Sequence, residues 1–129
     1  MIVLDTHAWL WWTAEPAKLS LPARDAIDHA DRIAVATISC WEVTMLAEAG
    51  RIELDRSAGA WIEQALADVR TQSLPLTSAV AVQAALLGRE GFVGDPADRI
   101  IYATARNAGA RLATRDRSLR AFDPRGTIW

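Results

Sequence analysis

The sequence predicts an α/β fold in which helices cover both faces of a parallel sheet. Three observations lead there. The runs Met1–Leu4, Ile33–Thr37 and Arg111–Thr114 are short and apolar at their centres, without the alternation of a sheet that has one wet face. Segments with helical spacing stand between them. Gly50, Gly88 and Gly109 each close such a segment, and glycine is the usual residue just past a helix end.

Met1 to Leu4 reads as a buried strand that ends in Asp5. His7 to Thr13 reads as a Trp-rich helix, broken by EPAKLSLP, and Ala23 to Ala30 as the next helix. Ile33 to Thr37 is a second buried strand. Ser39 reads as the cap of a helix running to Ala49, on which Ile38, Trp41, Met45 and Ala49 form one apolar stripe that includes Glu42. Ala58 to Val69 is helical, with Trp61, Ile62, Ala65 and Leu66 on one face. Leu74 to Leu76 reads as a short strand and Ser78 to Leu87 as a helix. Asp95 and Pro96 open a helix reaching Ala108, since Asp is a good N-cap and Pro suits the first helical position. Arg111 to Thr114 is a third core strand, SLRAF a short helix, and Thr127 to Trp129 an edge strand.

A chain of 129 residues predicts a single domain, residues 1–129, with one buried core. Hydrophobic residues at 51% and charged residues at 23% describe a globular protein and exclude a disordered one. Cys40 is the one cysteine, so no internal disulfide forms and a reducing compartment fits. The start MIVLDTHAWLWW carries Asp5 and no basic leader, which makes a poor signal peptide. No apolar run approaches the roughly 18 residues of a membrane span. The expected location is the cytoplasm.

The formal net charge of −2 argues at first against an anionic partner. The distribution is uneven. From Arg89 onward there are eight Arg and five acids, and Arg suits bidentate phosphate contact better than Lys.

The acids deserve the closest reading, because ligands in such folds bind beyond the carboxyl ends of the strands. Asp5 follows the first strand directly and Asp116 follows the third by two residues. Glu42 lies one turn into the helix after the second strand. Asp95 and Asp98 open the helix that leads to the third. Helical phase puts Asp98 on one face with Ile101, Tyr102 and Ala105. A carboxylate on a buried face costs several kcal/mol unless it is paired, hydrogen-bonded or bound to metal. Each acid also has an ordinary use. Glu42 completes a capping box with Ser39, Asp95 caps a helix, Asp98 favours a helix dipole and Asp116 caps SLRAF. Asp5 has the fewest such uses. Taken together, the convergence of the acids on one edge favours a metal site. Carboxylates without a nearby His or Cys suit Mg²⁺ or Mn²⁺. His7 and His29 are badly spaced for zinc, and no P-loop, GxGxxG, GxSxG or CxxC pattern occurs.

The segments LDTHAWLWW, SCWEVTMLAEAGRIEL, DPADRIIYATA and LATRDRSLRAF together resemble the PIN domain, and more narrowly the VapC toxins of bacterial type II toxin–antitoxin pairs. The resemblance spans essentially the whole chain. It implies a three-layer α/β/α fold around a central parallel sheet and a Mg²⁺-dependent ribonuclease. It also implies a homodimer silenced by a VapB-type antitoxin. Carried over by position, the catalytic acids are Asp5, Glu42, Asp98 and Asp116, with Asp5, Asp98 and Asp116 on the metal. Thr6, Thr114 and Asp95 stand beside them as supporting residues. Arg99, Arg115 and Arg117 flank the acids and are candidates for holding the RNA backbone. Trp9, Trp11 and Trp12 read as core or dimer interface.

Two other functions compete. A metal-dependent phosphatase of the haloacid dehalogenase type also begins with a strand ending in Asp. It needs a second Asp two residues on, where this chain has His7, and a catalytic Lys that the sole Lys18 is badly placed to supply. A non-catalytic PIN-like binding module is the third reading, and the presence of all four acids weighs against it.

Overall fold

Strand β1, Ile2–Leu4, is buried on both faces. The computed structural model describes residues 1–129. Side chains along a strand alternate, so Ile2 and Leu4 join one core cluster while Val3 joins the other. Strand β2, Ile33–Ala36, divides in the same way: Ile33 and Val35 lie on the first side, Ala34 and Ala36 on the second. Strand β4, Arg111–Ala113, sends Leu112 to the second cluster and Ala113 to the first. Helices therefore cover both faces, as the unalternating apolar runs predicted.

Strand β3, Thr71–Leu74, and strand β5, Thr127–Ile128, form the edges of the sheet. The five strands are all parallel, in the order β3-β2-β1-β4-β5. The chain builds outward from β1 through β2 to β3, then returns to the other side of β1 for β4 and β5. The order therefore reverses between β1 and β4. In open parallel sheets a crevice opens at that point, beyond the carboxyl ends of the two strands.

Helices α1 (Thr6–Ala14), α2 (Leu21–His29) and α4 (Ala58–Ala65) contribute to the first cluster, around the fully buried Trp9, which meets Trp61 edge-on with ring centroids 5.1 Å apart. Helix α3, Thr37–Glu48, adds Val43 to it. Helix α6, Pro96–Asn107, and helix α7, Arg117–Phe122, pack the second cluster through Ile101, Tyr102, Ala105 and Leu119. Helix α5, Ser78–Leu86, lies against α6 through Val80 and Ala84.

Four expectations are corrected. Strand β3 runs over Thr71–Leu74 and not Leu74–Leu76, because in-register pairing with Ile33–Ala36 ends at Leu74, just before Pro75. As a half-exposed edge strand, TQSL carries no apolar signature. Helix α4 stops at Ala65, because Trp61 and Ala65 complete its buried face and the chain then turns through Asp68 into β3, leaving Val69 in solvent. Helix α3 starts at Thr37, two residues before the expected cap at Ser39. Its buried residues are Ser39 and Val43; of the expected stripe, Ile38 packs against the second cluster while Trp41 and Met45 face outward, 55% and 49% exposed. Small Ser39 permits close approach of α3, which turns the larger residues away from the sheet.

At the end of α6, Gly109 takes φ 65°, and Ala110 N donates to Ala105 O at 3.0 Å in a Schellman closure. A Cβ built at Gly109 meets nothing within 4 Å, so only the backbone penalty remains. Gly109→Ala is expected to cost about 1–2 kcal/mol in urea unfolding, with the slope of the transition unchanged.

Candidate active site at the carboxyl edge of the sheet

Asp5 leaves β1 at the reversal point, and its amide extends the ladder by donating to Ala113 O at 3.0 Å. Its carboxylate Oδ1 accepts the Ala8 amide at 2.8 Å, capping α1. Asp5 thus has the capping use that the sequence did not suggest for it. Across the ladder, Thr114 is fully buried beyond the end of β4. Its hydroxyl accepts the Asp116 amide at 3.1 Å and stands by the Asp5 carboxylate, whose ionised form it favours. Asp116 Oδ1 in turn accepts the Leu119 amide at 3.0 Å, capping α7. One buried hydroxyl therefore stands between two acids that are 111 residues apart in sequence.

Glu42 arrives from α3. The capping box with Ser39 does not form, since Ala36 is the N-cap and Ser39 is buried inside the helix. Thr6 Oγ1 lies 2.6 Å from Glu42 Oε1 and 3.0 Å from Ser39 Oγ. A hydroxyl has one proton, and the acceptor-only carboxylate is its stronger claimant. Asp95 Oδ1 accepts the Asp98 amide at 2.9 Å and caps α6, as expected. Asp98 itself, in the first turn of α6, is half-buried with no such bond to its carboxylate.

Asp5, Glu42, Asp95, Asp98 and Asp116 line one open cleft of about 720 Å³, together with Thr6, His7, Trp11, Arg51, Arg115 and Arg117. Burial pushes the Asp5 carboxyl up, against the pull of Thr114, the Ala8 amide and His7, while Glu42 adds to the rise. Asp98 is pushed up to about 7, by burial first and then by the neighbouring Asp95, Glu42, Asp116 and Asp5. The cleft is a place where negative charge is in excess.

That chemistry can be set against a divalent cation. The donors are carboxylate and hydroxyl oxygens, which suit Mg²⁺ or Mn²⁺. Asp5, Asp95 and Asp116 each commit Oδ1 to a helix amide, leaving the second oxygen of each carboxylate free. No group of three His, Cys, Asp or Glu is drawn into a ready-made ligand shell. The donor set fits the ion by type and by charge, with closure of the acids left to the cation.

Of the three arginines, Arg115 and Arg117 reach the cleft. Arg115 lies over the Trp11 ring, 5.9 Å from its centroid. Arg99 is not among the lining residues, and its buried Nε has no hydrogen-bond partner. Sequence reasoning missed Ser39, His7, Trp11 and Arg51. Ser39 was hidden by its second use as a capping residue. Arg51 comes back to the cleft only because Gly50 turns the chain at φ 70°, and nothing in the linear pattern marks that return.

Residues 2–123 match the PIN domain family model. The chain belongs to the PIN-domain family. Over 99% of its length it is 48% identical to Ribonuclease VapC22 of Mycobacterium tuberculosis, covering 98% of that protein. Its fold is shared with a toxin–antitoxin complex from Klebsiella pneumoniae, at TM-score 0.72 and 18% identity, over 100% of this chain and 97% of that one. VapBC2 from Rickettsia felis, bound to a DNA fragment from its promoter, matches at TM-score 0.67 and 14% identity, over 99% and 96% of the two chains. This PIN domain is thus a VapC-type protein by sequence, with the all-parallel five-strand sheet and flanking helices seen in those structures.

The raised Asp98 pKa predicts a pH effect in metal-free protein. An acid held more weakly ionised when folded binds its proton more tightly in that state. Stability is therefore lost as pH rises from the usual carboxylate range to about 7. In EDTA, the melting temperature is expected to fall over that window, and Asp98→Asn is expected to melt higher than the parent at pH 8. Parallel melting curves that do not diverge between pH 4 and 8 would contradict the crowding of charge at this site.

Proposed function

We propose that this VapC-type ribonuclease hydrolyses RNA phosphodiester bonds through a Mg²⁺ held by Asp5, Asp98 and Asp116, acting as one PIN domain over residues 1–129. The single observation that carries the metal reading is the carboxyl of Asp98, raised to about 7 by burial first and then by four other acids gathered at the switch point of a parallel sheet. Such crowding is unfavourable until a cation is present. When bound, Mg²⁺ (or Mn²⁺) supplies acidification of a water and stabilisation of charge on the scissile phosphate.

The chain's own groups do the rest. Thr114 holds Asp5 and Asp116 in register, and Asp95 fixes the start of α6 so that Asp98 faces the cleft. Glu42, held by Thr6, orients the attacking water with its second oxygen. Arg115 and Arg117 at the rim hold the RNA backbone on either side of the cut, a contribution that weakens with salt and does not read sequence. Arg99 has less support for that role, since it is not at the rim.

Two protein partners belong to this reading. A VapB-type antitoxin is supported by the toxin–antitoxin complexes that share the fold. A second copy of the chain is supported by the exposed Trp41 and Met45 on α3. No helix is long and apolar enough to cross a membrane. A cytoplasmic location is proposed on the lone cysteine and on the RNA substrate.

The test is cleavage of RNA by antitoxin-free protein with Mg²⁺, with EDTA, and as Asp5→Asn and Asp98→Asn. Asn retains a capping oxygen, so α1 stays intact while the charge is lost. Losses of about a hundredfold or more are expected with EDTA and with each variant. Undiminished cutting in any of the three would sink the metal-carboxylate mechanism. In the same assay, Thr6→Val is expected to lower kcat about tenfold with little change in KM, since it frees Glu42 without touching the metal acids.

A further inference from the structure

Beside the acidic cleft lies a smaller one of about 390 Å³, lined by Arg111, Arg120 and Trp129 between Pro22 and Pro124, with no acid among its lining residues. We infer that this cleft is a second subsite for single-stranded RNA, in which a base stacks on Trp129 and the adjoining phosphate meets Arg120. The inference rests on the ribonuclease reading and extends it to nucleotides away from the cut.

Two bridges join this cleft to the acidic one. The first is aromatic. His7 and Trp11 line the acidic cleft, their ring centroids 5.6 Å apart, and Trp11 stands 5.7 Å from Trp129, which lines the smaller cleft. Arg115 covers the Trp11 ring. The second bridge is α7. Arg117 lines the acidic cleft and Arg120, three residues on, lines the smaller one, so one helical turn carries positive charge from one to the other.

The guanidinium groups are available for phosphate. Arg111, Arg115, Arg117 and Arg120 take part in none of the ion pairs of the molecule. Arg111 Nη2 donates to Thr127 O at 2.8 Å, which orients that side chain and leaves its other donors free. Beyond Pro22 the next hollow is lined by Arg24 with two acids, Asp25 and Asp28, so the acid-free surface ends there. Alternating aromatic rings and arginines, leading into a cleft with no acid in its lining, suit a single strand, whose bases stack and whose backbone is anionic. An acidic protein segment would satisfy the arginines and leave the aromatic rings without a purpose.

The test measures binding in the cleavage-defective Asp98→Asn protein with Mg²⁺ present, by fluorescence anisotropy. The probes are a uridine trinucleotide and a uridine oligomer of about 12 nucleotides. Trp129→Ala is expected to weaken the longer probe about tenfold and leave the trinucleotide unchanged, with Trp129→Phe retaining most of the affinity. Arg120→Ala is expected to reduce the salt slope for the longer probe by about 0.7. Equal losses for both probes would mean a disturbed Trp11 and acidic cleft, and would overturn the subsite. So would unchanged binding of the longer probe. The assay reads binding alone, so a protein that cuts no RNA would refute the ribonuclease reading without deciding this one.

Discussion

The pairing of β1 with β4 is the constraint on which the rest depends. Parallel neighbours in register bring the ends of both strands to the same height, and the Asp5 amide prolongs that pairing by one more bond to Ala113. The two side chains that follow, Asp5 and Thr114, are thereby forced together inside a buried edge. Thr114 then passes the alignment on to Asp116 and the whole of α7. Geometry at the site is set by backbone hydrogen bonds of the sheet, which are the least deformable bonds available to it.

A second consequence follows from where the helices start. Helices α1, α6 and α7 all begin at this edge, each capped by an acid. The exposed amides of a helix start attract negative charge, which suits an acid at each of these caps. Asp98 lacks an amide partner for its carboxylate, and its titration carries the strain of the cluster. The acids are thus unequal: three are anchored by their own helices, one by a threonine hydroxyl, and one is free to respond to its neighbours.

Much of this was legible in the linear sequence because apolar runs and helix stops have strong local causes. The both-faces-buried strands β1 and β2 announced themselves by lacking polar alternation, and Asp95–Pro96 announced the start of α6. Strand β3 did not, because an edge strand buries little and TQSL carries no hydrophobic pattern to read. The phase of α3 was misread because Trp41 and Met45 have the composition of core residues but face solvent. The acids could be found from their positions after strands. The hydroxyl partnerships of Thr6, Ser39 and Thr114 could be found only in three dimensions, since they join residues 33 or more positions apart or depend on the sheet register.

The capping role of the acids also bears on how such a site decays over evolutionary time. Asp5, Asp95 and Asp116 each hold a helix start as well as facing the cleft. A descendant that abandoned chemistry altogether would still need a capping oxygen at those three positions, which Asn, Ser or Thr could supply as well as Asp. Asp98 and Glu42 cap nothing, so in the proposed mechanism their charge serves the chemistry alone. In a lineage of PIN domains, that mechanism makes the fate of these two residues a record of the activity, while the three capping positions record the fold by keeping a side-chain oxygen.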